Sequence, residues 1–281
     1  MRILLIGASG CFGTEFINAC NKFKKKISLK YYPSKKLNVL DSKILNQKIN
    51  ILKPNVIINS SAIVGINQCE NLYEKAFAIN SIGALNLAKI CRIKNIVLVQ
   101  TSTHAVFDGE KKGYYIEKDK PKPNNVYSGS KYLSEAFVSS ICKKYYIIRF
   151  PTLFGDRSNK LSGFVDKVVK QLKNNKTLKI ASDKIDSPTY AKDAAIKLLE
   201  ILLKEKPFGT YHLANKGKVS YLEFVKYIKF RLNSKSKIIS VKDSYFASDG
   251  FKPLRTALRS SKIKNFRHWK LALKEYIKKI N

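Results

Sequence analysis

The sequence of 281 residues has few histidines and cysteines and no long apolar runs, and each shortage excludes a class of protein. The 3 histidines and 5 cysteines are widely spaced, and they form no CxxC pair, metal-site spacing or disulfide framework. No apolar run reaches the about 18 to 20 residues that a membrane-spanning helix needs. Glycine interrupts the N-terminal segment MRILLIGASG too early for a secretory signal. We therefore expect a cytoplasmic protein with reduced thiols, no bound metal and no membrane span.

Acidic residues are also scarce, with 20 Asp and Glu against 54 Lys and Arg, which gives a net charge of +34. A balance this basic is typical of nucleic-acid-binding proteins. However, only 8 of the 54 basic residues are arginine, the usual reader of bases and phosphates, and the lysines are spread along the whole chain. Lysine, isoleucine and asparagine are abundant together, as AT-biased coding produces. We therefore expect no specific nucleic-acid partner, although the charge would attract an anionic substrate.

Short apolar runs alternate with helical patterns through the first half of the chain, which predicts βαβ units and a parallel sheet. After residue 150 this rhythm changes. We expect an α/β fold, with a doubly wound parallel Rossmann sheet and a smaller, discontinuous C-terminal substrate lobe. The core would be 1–150 with later contributions near 178–214, the lobe would be 151–177 and 215–281, and a ligand would bind between them. The predicted strands are 2–6, 27–31, 55–59, 96–100, 145–150, 178–180 and 210–213; the predicted helices include 69–94, 127–144, 164–174, 190–204, 221–232 and 269–280.

A glycine-rich turn follows the first predicted strand and begins a helix. Residues 7–13 read GASGCFG, with glycines at positions 7, 10 and 13. Glycine allows a sharp turn and a close approach to a pyrophosphate, and the helix N-terminus offers free N–H groups to the phosphates. The spacing differs from the common GxGxxG, so the position after a strand carries the argument, and a turn without a ligand is the alternative.

The region after the second predicted strand favours NADPH over NADH. No Asp or Glu lies between Glu15 and Asp41, where a carboxylate usually binds the adenosine ribose of NAD. An absent carboxylate and nearby cations favour a 2′-phosphate, so we predict NADPH, with NADH as the alternative. The cations in this interval are Lys22, Lys24, Lys25, Lys26, Lys30, Lys35 and Lys36.

A YxxxK pair, Tyr127 and Lys131, begins a predicted helix, and residues four apart share one face of a helix. The lysine ammonium would lower the tyrosine pKa from its usual value of about 10. A phenol tuned in this way can protonate a carbonyl oxygen as hydride arrives at the carbon. A hydroxyl from residues 101–103, at the end of the fourth predicted strand, could hydrogen-bond the same oxygen. An exposed Tyr and Lys on a helix surface is the alternative.

The sequence resembles the extended short-chain dehydrogenase/reductase family and, more closely, its dTDP-4-dehydrorhamnose reductase branch. The resemblance covers nearly the whole chain. Its carriers are GASGCFG at 7–13, VIINSSAIVGINQCE at 56–70, AINSIGALNLAKIC at 78–91, STHAVFDG at 102–109, PNNVYSGSK at 123–131, IIRFPTLFG at 147–155, DSPTYAKDAA at 186–195 and GTYHLANKG at 209–217.

The resemblance implies a catalytic triad of Thr103, Tyr127 and Lys131, with Lys131 also holding the nicotinamide ribose. It further implies a set of cofactor contacts around the pyrophosphate, the adenine and the nicotinamide. These are Gly7, Ser9, Gly10, Cys11, Phe12 and Gly13 at the glycine-rich turn, Asp41 near the adenine, Ser60, Ser61 and Ala62 after the third strand, Asn80 nearby, and Pro151 and Thr152 beside the nicotinamide.

The departures from the family pattern lie on the substrate side. His104 stands for the family's aspartate, Ala105 for its tyrosine and Leu153 for its tryptophan. Arg255 replaces an asparagine in the block 252–258, and its guanidinium could bind a nucleotide phosphate. We expect these four residues to contact the substrate, and their changes indicate a different keto sugar or a different nucleotide.

Three functions remain open. The first is an NAD(P)H-dependent reductase of a nucleotide-linked keto sugar, a 4-keto-6-deoxyhexose, for surface-glycan biosynthesis. The second is a nucleotide-sugar epimerase or dehydratase with retained NAD, although a dehydratase would want an Asp-Glu pair where His104 and Ala105 stand. The third is a non-catalytic regulatory subunit of the same fold, against which the intact triad argues. The expected partner is the nucleotide sugar, and a homodimer is an assembly that the sequence neither requires nor excludes.

Overall fold

The computed structural model describes residues 1–23, 25–158, 163–264 and 266–280. The strands are β1 (Arg2–Ile6), β2 (Ser28–Tyr32), β3 (Val56–Asn59), β4 (Val97–Thr103), β5 (Tyr145–Phe150), β6 (Leu153–Phe154), β7 (Leu178–Ala181), β8 (Ile185–Asp186), β9 (Thr189–Tyr190), β10 (Gly209–His212), β11 (Val219–Ser220) and β12 (Ile238–Val241). The α-helices are α1 (Cys11–Cys20), α2 (Ser42–Leu52), α3 (Ile66–Asn71), α4 (Tyr73–Phe77), α5 (Gly83–Ile93), α6 (Val126–Ile141), α7 (Phe164–Lys173), α8 (Ala191–Leu203), α9 (Tyr221–Leu232) and α10 (Trp269–Ile280).

Six parallel strands form the central sheet in the order β10-β5-β4-β3-β1-β2, which confirms the predicted doubly wound α/β fold. The inner strands read as near-continuous apolar runs because helices cover both faces of the sheet. The direction of winding reverses between β1 and β3. Ligands of open α/β sheets bind at the carboxyl ends of the strands beside such a reversal.

Two apolar layers flank this sheet. On one face, Phe12 and Phe16 of α1 pack with Leu198 and Leu199 of α8. On the other face, buried residues of α2, α5 and α6 share a second cluster with the strands. The two layers hold the carboxyl ends of β1, β3 and β4 in a rigid frame.

The C-terminal lobe has its own core, in which α7, α9 and α10 surround Phe224 and Trp269. Of the contributions expected near 178–214, α8 and β10 pack with the sheet. Strand β7, in contrast, pairs with β12 outside the six-stranded sheet, and its Leu178 and Ile180 belong to the lobe's core. We therefore propose a core of 1–150 with α8 and β10, and a lobe that also includes β7.

The predicted continuous helix over 69–94 is wrong in detail. Leu72, with φ −128° and ψ 45°, separates α3 from α4, and a π-helical segment, Ala78–Ile82, leads into α5. The π turn places the amide of Asn80 inside, where it bonds both backbone groups of Ile63 and the Ser130 hydroxyl. Single π turns of this kind frequently occur at functional sites. None of the described helices combines the length and apolarity needed to cross a bilayer.

Candidate active site

The glycine-rich turn brings β1 against the loop that follows β3. Gly7 has φ +83°, and a Cβ there would lie 2.4 Å from the carbonyl carbon of Ser60. A Cβ on Gly13 would lie 2.7 Å from the carbonyl oxygen of Ala8. Both positions therefore require glycine. Gly10 is the N-cap of α1, and no described side chain caps that helix, so its first N–H groups remain available to an anion.

The other residues predicted around the cofactor surround this turn at different depths. Ser9 is half-buried within the turn, whereas Cys11 and Phe12 are buried in the first turn of α1. Burial raises the pKa of Cys11 to about 12, so it is a neutral thiol. The centre of the Phe12 ring lies 4.8 Å from that of the Phe150 ring, so the two rings pack between β5 and α1. Pro151 is buried directly after β5.

The adenosine end of the proposed cofactor site lies at the end of β2. The Gly7 N–H donates to the carbonyl of Tyr32 over 3.0 Å, which holds the end of β2 beside the glycine-rich turn. Lys35 and Lys36 follow β2 and are exposed. Asp41 is the N-cap of α2, and its carboxylate accepts the Ile44 N–H at 2.9 Å. Lys35 and Lys36 therefore lie closer in sequence to the end of β2 than Asp41 does, and the Asp41 carboxylate already caps α2.

The loop after β3 contains Ser60, Ser61 and Ala62, and it is held from both sides. The Ser34 hydroxyl, after β2, donates to Ser61 Oγ over 3.3 Å. Asn80 is fully buried, and its amide is engaged by Ile63 and Ser130 as described above. We propose that Asn80 acts on the cofactor site by fixing this loop against α6 rather than by direct contact.

Thr103 and Tyr127 meet where β4 ends and α6 begins. The Thr103 hydroxyl oxygen accepts the Ala105 N–H at 3.1 Å, which leaves the hydroxyl proton free to be donated. Asn125 caps α6 by accepting the Ser128 N–H at 2.8 Å, and this places Tyr127 in the first turn of the helix. Burial raises the pKa of Tyr127 to about 12, and the Thr103 hydroxyl counteracts part of this rise.

Lys131 lies one turn further along α6 and is 2 % exposed. Its ammonium donates to the Thr101 carbonyl over 2.7 Å. Burial lowers the pKa of Lys131 to about 8, against the opposing effect of the Glu135 carboxylate. The expected lowering of the Tyr127 pKa by Lys131 is therefore wrong for this structure, because desolvation of the phenol dominates. The phenol is a protonated donor at neutral pH.

A buried ion pair between Arg149 and Glu135 lies next to Lys131 and joins its helix to the sheet. Arg149 on β5 forms a bidentate pair with Glu135, with Nη2 to Oε2 at 2.6 Å, and the Ser102 hydroxyl also bonds Glu135. Glu135 thus pairs with the neighbouring strand rather than with Lys131. The pair joins α6 to β4 and β5, so it fixes the position of Lys131 on α6 relative to Thr103 on β4.

The residues predicted on the substrate side lie where the two lobes meet. Nδ1 of His104 lies 3.1 Å from Oδ1 of Asp186 and 2.9 Å from the Thr256 hydroxyl oxygen. Asp186 Oδ2 accepts the Thr152 N–H at 2.9 Å. The Thr152 hydroxyl is 2.9 Å from that of Tyr221, so Thr152 is tied to the lobe.

Three further predicted substrate residues differ in accessibility. Ala105 is 6 % exposed, which leaves little of its side chain for a substrate. Leu153 is half-buried in β6 and packs against the core. Arg255 is exposed, and its backbone forms a bridge with Ile185 beside Asp186. Our sequence analysis missed Asp186, although it begins the DSPTYAKDAA block. Within the described ranges, no group of three or more His, Cys, Asp and Glu is arranged to hold a metal ion.

A doubly wound sheet, a glycine-rich turn at the strand reversal and a Thr-Tyr-Lys set at the end of β4 define a dinucleotide-dependent enzyme of the extended short-chain dehydrogenase/reductase type. More narrowly, the chain belongs to the RmlD substrate binding domain family, whose model matches residues 1–281.

Relatives of this chain cover its full length. It is 30% identical to the spore coat polysaccharide biosynthesis protein SpsK of Bacillus subtilis, over 98% of this chain and 96% of that protein. Among solved structures, it is similar to a dTDP-4-dehydrorhamnose reductase of Clostridium acetobutylicum, with 32% identity, a TM-score of 0.93 and coverage of 100% and 99%. The dTDP-4-dehydrorhamnose reductase of Bacillus anthracis in complex with NADP has 27% identity, a TM-score of 0.93 and 99% coverage of both chains.

Proposed function

We propose that the protein is an NADPH-dependent reductase of a nucleotide-linked 4-keto-6-deoxy sugar, acting in the biosynthesis of a surface glycan. The observation that carries this proposal is the hydrogen bond between the Thr103 hydroxyl and the Tyr127 phenol at the carboxyl end of β4, with the Lys131 ammonium bonded to the Thr101 carbonyl of the same strand. The family membership and the full-length similarity to dTDP-4-dehydrorhamnose reductases support it.

The chain fits the cofactor at the glycine-rich turn, where Gly7 and Gly13 leave no room for a Cβ and the N-terminus of α1 is uncapped by the described residues. When bound, the reduced nicotinamide supplies a hydride for the carbonyl carbon of the sugar. Lys35 and Lys36, exposed after β2, would pair with a 2′-phosphate, and a similar solved structure contains NADP. NADPH is therefore our first cofactor, with NADH as the alternative.

Tyr127 donates its hydroxyl proton to the sugar's carbonyl oxygen as the carbon receives the hydride, so a C=O group becomes CH–OH. Its high pKa keeps this proton in place at neutral pH. The Thr103 hydroxyl, whose oxygen accepts the Ala105 N–H, would donate its proton to the same carbonyl oxygen and stabilise the developing alkoxide. Lys131 lies one turn further along α6, and its ammonium would hold the nicotinamide ribose.

The alternatives have weaker support from the site. His104 and Ala105 stand where a dehydratase would want an acid-base pair, and Ala105 is buried. A regulatory subunit would have no need of the buried Lys131 and the Glu135–Arg149 pair that supports it. The specific sugar and nucleotide are set by residues near His104, Leu153 and Arg255, which differ from the family pattern.

Location and assembly are narrower proposals. All 5 cysteines are buried free thiols, as is usual in a reducing compartment, so we propose a cytoplasmic enzyme. A homodimer and the absence of a specific nucleic-acid partner stay predictions. Light scattering tests the first, and the salt dependence of binding to a DNA duplex tests the second.

The test is the loss of the reduced cofactor's near-ultraviolet absorbance with a panel of nucleotide-linked 4-keto-6-deoxy sugars, beginning with dTDP-4-dehydrorhamnose. We expect turnover with NADPH, and a Tyr127→Phe variant that binds NADPH but does not turn over. Silence of the wild type across the panel, with NADPH binding intact, would overturn the reductase. Turnover that survives in the variant would remove Tyr127 as the proton donor.

A further inference from the structure

A buried histidine–carboxylate pair joins the catalytic edge of the sheet to the C-terminal lobe. His104 directly follows Thr103, and its side chain is 17% exposed, whereas the side chain of Asp186 on β8 is 3% exposed. The two side chains are joined through Nδ1 of the imidazole and Oδ1 of the carboxylate, 3.1 Å apart. The pair therefore lies beside the proposed proton donor but is contributed by two different parts of the chain.

The surroundings of Asp186 require a carboxylate that only accepts hydrogen bonds. Oδ2 accepts the Thr152 N–H at 2.9 Å, and Oδ1 accepts the Ser187 N–H at 2.7 Å in addition to facing His104. Oδ1 and Oδ2 each accept a backbone N–H, and hydrogen bonds of this kind favour the ionised form of a carboxyl group. Asp186 is thus ionised at neutral pH and cannot donate to the imidazole.

An ionised Asp186 determines which imidazole nitrogen carries the proton. Because the carboxylate only accepts hydrogen bonds, Nδ1 of His104 must carry the proton. The Nδ1–H also faces the Thr256 hydroxyl oxygen at 2.9 Å, so it forms a bifurcated hydrogen bond. In neutral imidazole, Nε2 then carries a lone pair. Among the residues that the structure describes, Nε2 makes no hydrogen bond.

We propose that Asp186 is a positioning residue that holds His104 in the Nδ1–H form, so that Nε2 accepts a hydrogen bond from a sugar hydroxyl near the reacting carbonyl. This inference rests on the proposed function. The structure assigns His104 a specificity role, because a sugar with a hydroxyl at that place satisfies Nε2 and a deoxy sugar does not. Tyr127 remains the proton donor to the carbonyl oxygen.

The same contacts also join the two lobes, and a purely structural role is the competing explanation. Asp186 and Thr256 belong to the lobe side of the cleft, whereas His104 begins the short helical turn, His104–Val106, that follows β4. A structural tie needs a hydrogen bond of either polarity, whereas the proposal needs one particular tautomer. The imidazole tautomer therefore separates the two explanations.

The tautomer is measurable because the chain has only 3 histidines. We would record long-range ¹H–¹⁵N spectra of the full chain at neutral pH and assign His104 from the signal lost in His104→Gln. We expect His104 in the Nδ1–H form in the wild type. An Nε2–H form, or an imidazole protonated on both nitrogens, would overturn the proposal without any further variant, because Nε2 would then be a donor. This measurement needs no turnover, so its result is separate from the success of the reductase assay.

Two variants then test the role of the carboxylate. Asp186→Ala removes the acceptor of the Nδ1 proton, and the Thr256 hydroxyl can then donate to Nδ1, so the tautomer should change to Nε2–H. Asp183→Ala is the matched control, since Asp183 lies three residues away and, among the described residues, accepts only the Asp243 N–H. An unchanged tautomer in folded Asp186→Ala would overturn the positioning role.

Kinetics with the sugar that the wild type reduces complete the test. We expect His104→Gln and Asp186→Ala to lower kcat/KM by about tenfold, the value of one hydrogen bond, for the sugar that carries the hydroxyl facing Nε2. For the analogue without that hydroxyl, we expect kcat/KM to change little. Equal losses on both sugars would show a structural tie only and would overturn the specificity role. A wild type that reduces no panel member, with His104 in the Nδ1–H form, would instead count against the proposed function.

Discussion

Gly7→Ala should destabilise the protein through two separable effects, both visible in the geometry. Its φ of +83° costs an L-residue about 1–2 kcal/mol. The new Cβ would also lie 2.4 Å from the Ser60 carbonyl carbon and 2.5 Å from the Ser61 nitrogen. These are backbone atoms that cannot rotate away, and such overpacking costs about 1–3 kcal/mol. We expect a total loss of about 2–5 kcal/mol in the free energy of unfolding.

Two other glycines separate the effects. Gly65 has φ +98° and ψ 137° but nothing within 4 Å of an added Cβ, so Gly65→Ala should lose only about 1–3 kcal/mol, from backbone strain alone. Gly10 has φ −73°, and the nearest atom to its Cβ is the Gly7 oxygen at 3.8 Å. Gly10→Ala should therefore fold normally, while its methyl group obstructs the N–H groups at which we place the cofactor's pyrophosphate. We expect its NADPH affinity to fall by about tenfold or more, equivalent to about 1.4 kcal/mol.

Urea unfolding and NADPH titration of the three variants give the comparison. If Gly7→Ala is no less stable than Gly65→Ala, the overlap with the loop after β3 is not a real constraint. If Gly10→Ala binds NADPH as the wild type does, the pyrophosphate does not lie at the N-terminus of α1. Weak binding by an unstable Gly10→Ala would also count against the reasoning, because that position has room for a Cβ.

Three further predictions address charge. Because burial lowers the pKa of Lys131 to about 8, its ammonium is present below that pH and lost above it, so kcat/KM should fall from about pH 8 upward; a profile flat to pH 10 would contradict this. Glu135→Gln leaves the Arg149 charge buried without its carboxylate, so the free energy of unfolding measured in urea should fall by about 3–5 kcal/mol. A fall of less than about 1 kcal/mol would show that solvent reaches the pair. With a net charge of +34, the positive side chains repel one another and destabilise the folded chain, and salt screens this repulsion. Tm should therefore rise between low and moderate NaCl, and a falling Tm would mean that attractive ion pairs dominate.

Much of the fold was predictable because its strands and helices correspond to patterns of neighbouring residues in the sequence. The five strand predictions before residue 151 each match a strand of the sheet to within about three residues, as expected for boundaries read from sequence. The glycine-rich turn and the YxxxK pair were also visible, because each depends on residues only three or four positions apart. Their meeting at one edge follows from the parallel sheet, since all its strands end there.

What the sequence did not reveal depends on distant contacts. His104 and Asp186 are 82 positions apart, and nothing in either local pattern indicates that they touch. The Tyr127 pKa was predicted in the wrong direction because spacing shows that Lys131 shares its helix face but not that both groups are desolvated. The π turn around Asn80 likewise depends on Ile63 and Ser130, which belong to other elements.

The scarcity of acidic residues makes the placement of the buried ones informative. Only four of the 20 are buried: Glu15, Glu135, Asp186 and Asp243. Each bonds a part of the chain distant from its own element, since Glu15 accepts the Asp156 N–H, Glu135 pairs with Arg149, Asp186 contacts His104, and Asp243 pairs with Lys252. A buried carboxylate is costly unless it is paired or hydrogen-bonded, so it holds its partners in a defined arrangement. Two of the four lie directly behind the proposed catalytic residues, where a small displacement would separate Thr103, Tyr127 and Lys131. The basic composition of the surface is therefore compatible with a site that depends on a few carboxylates, because those carboxylates lie inside.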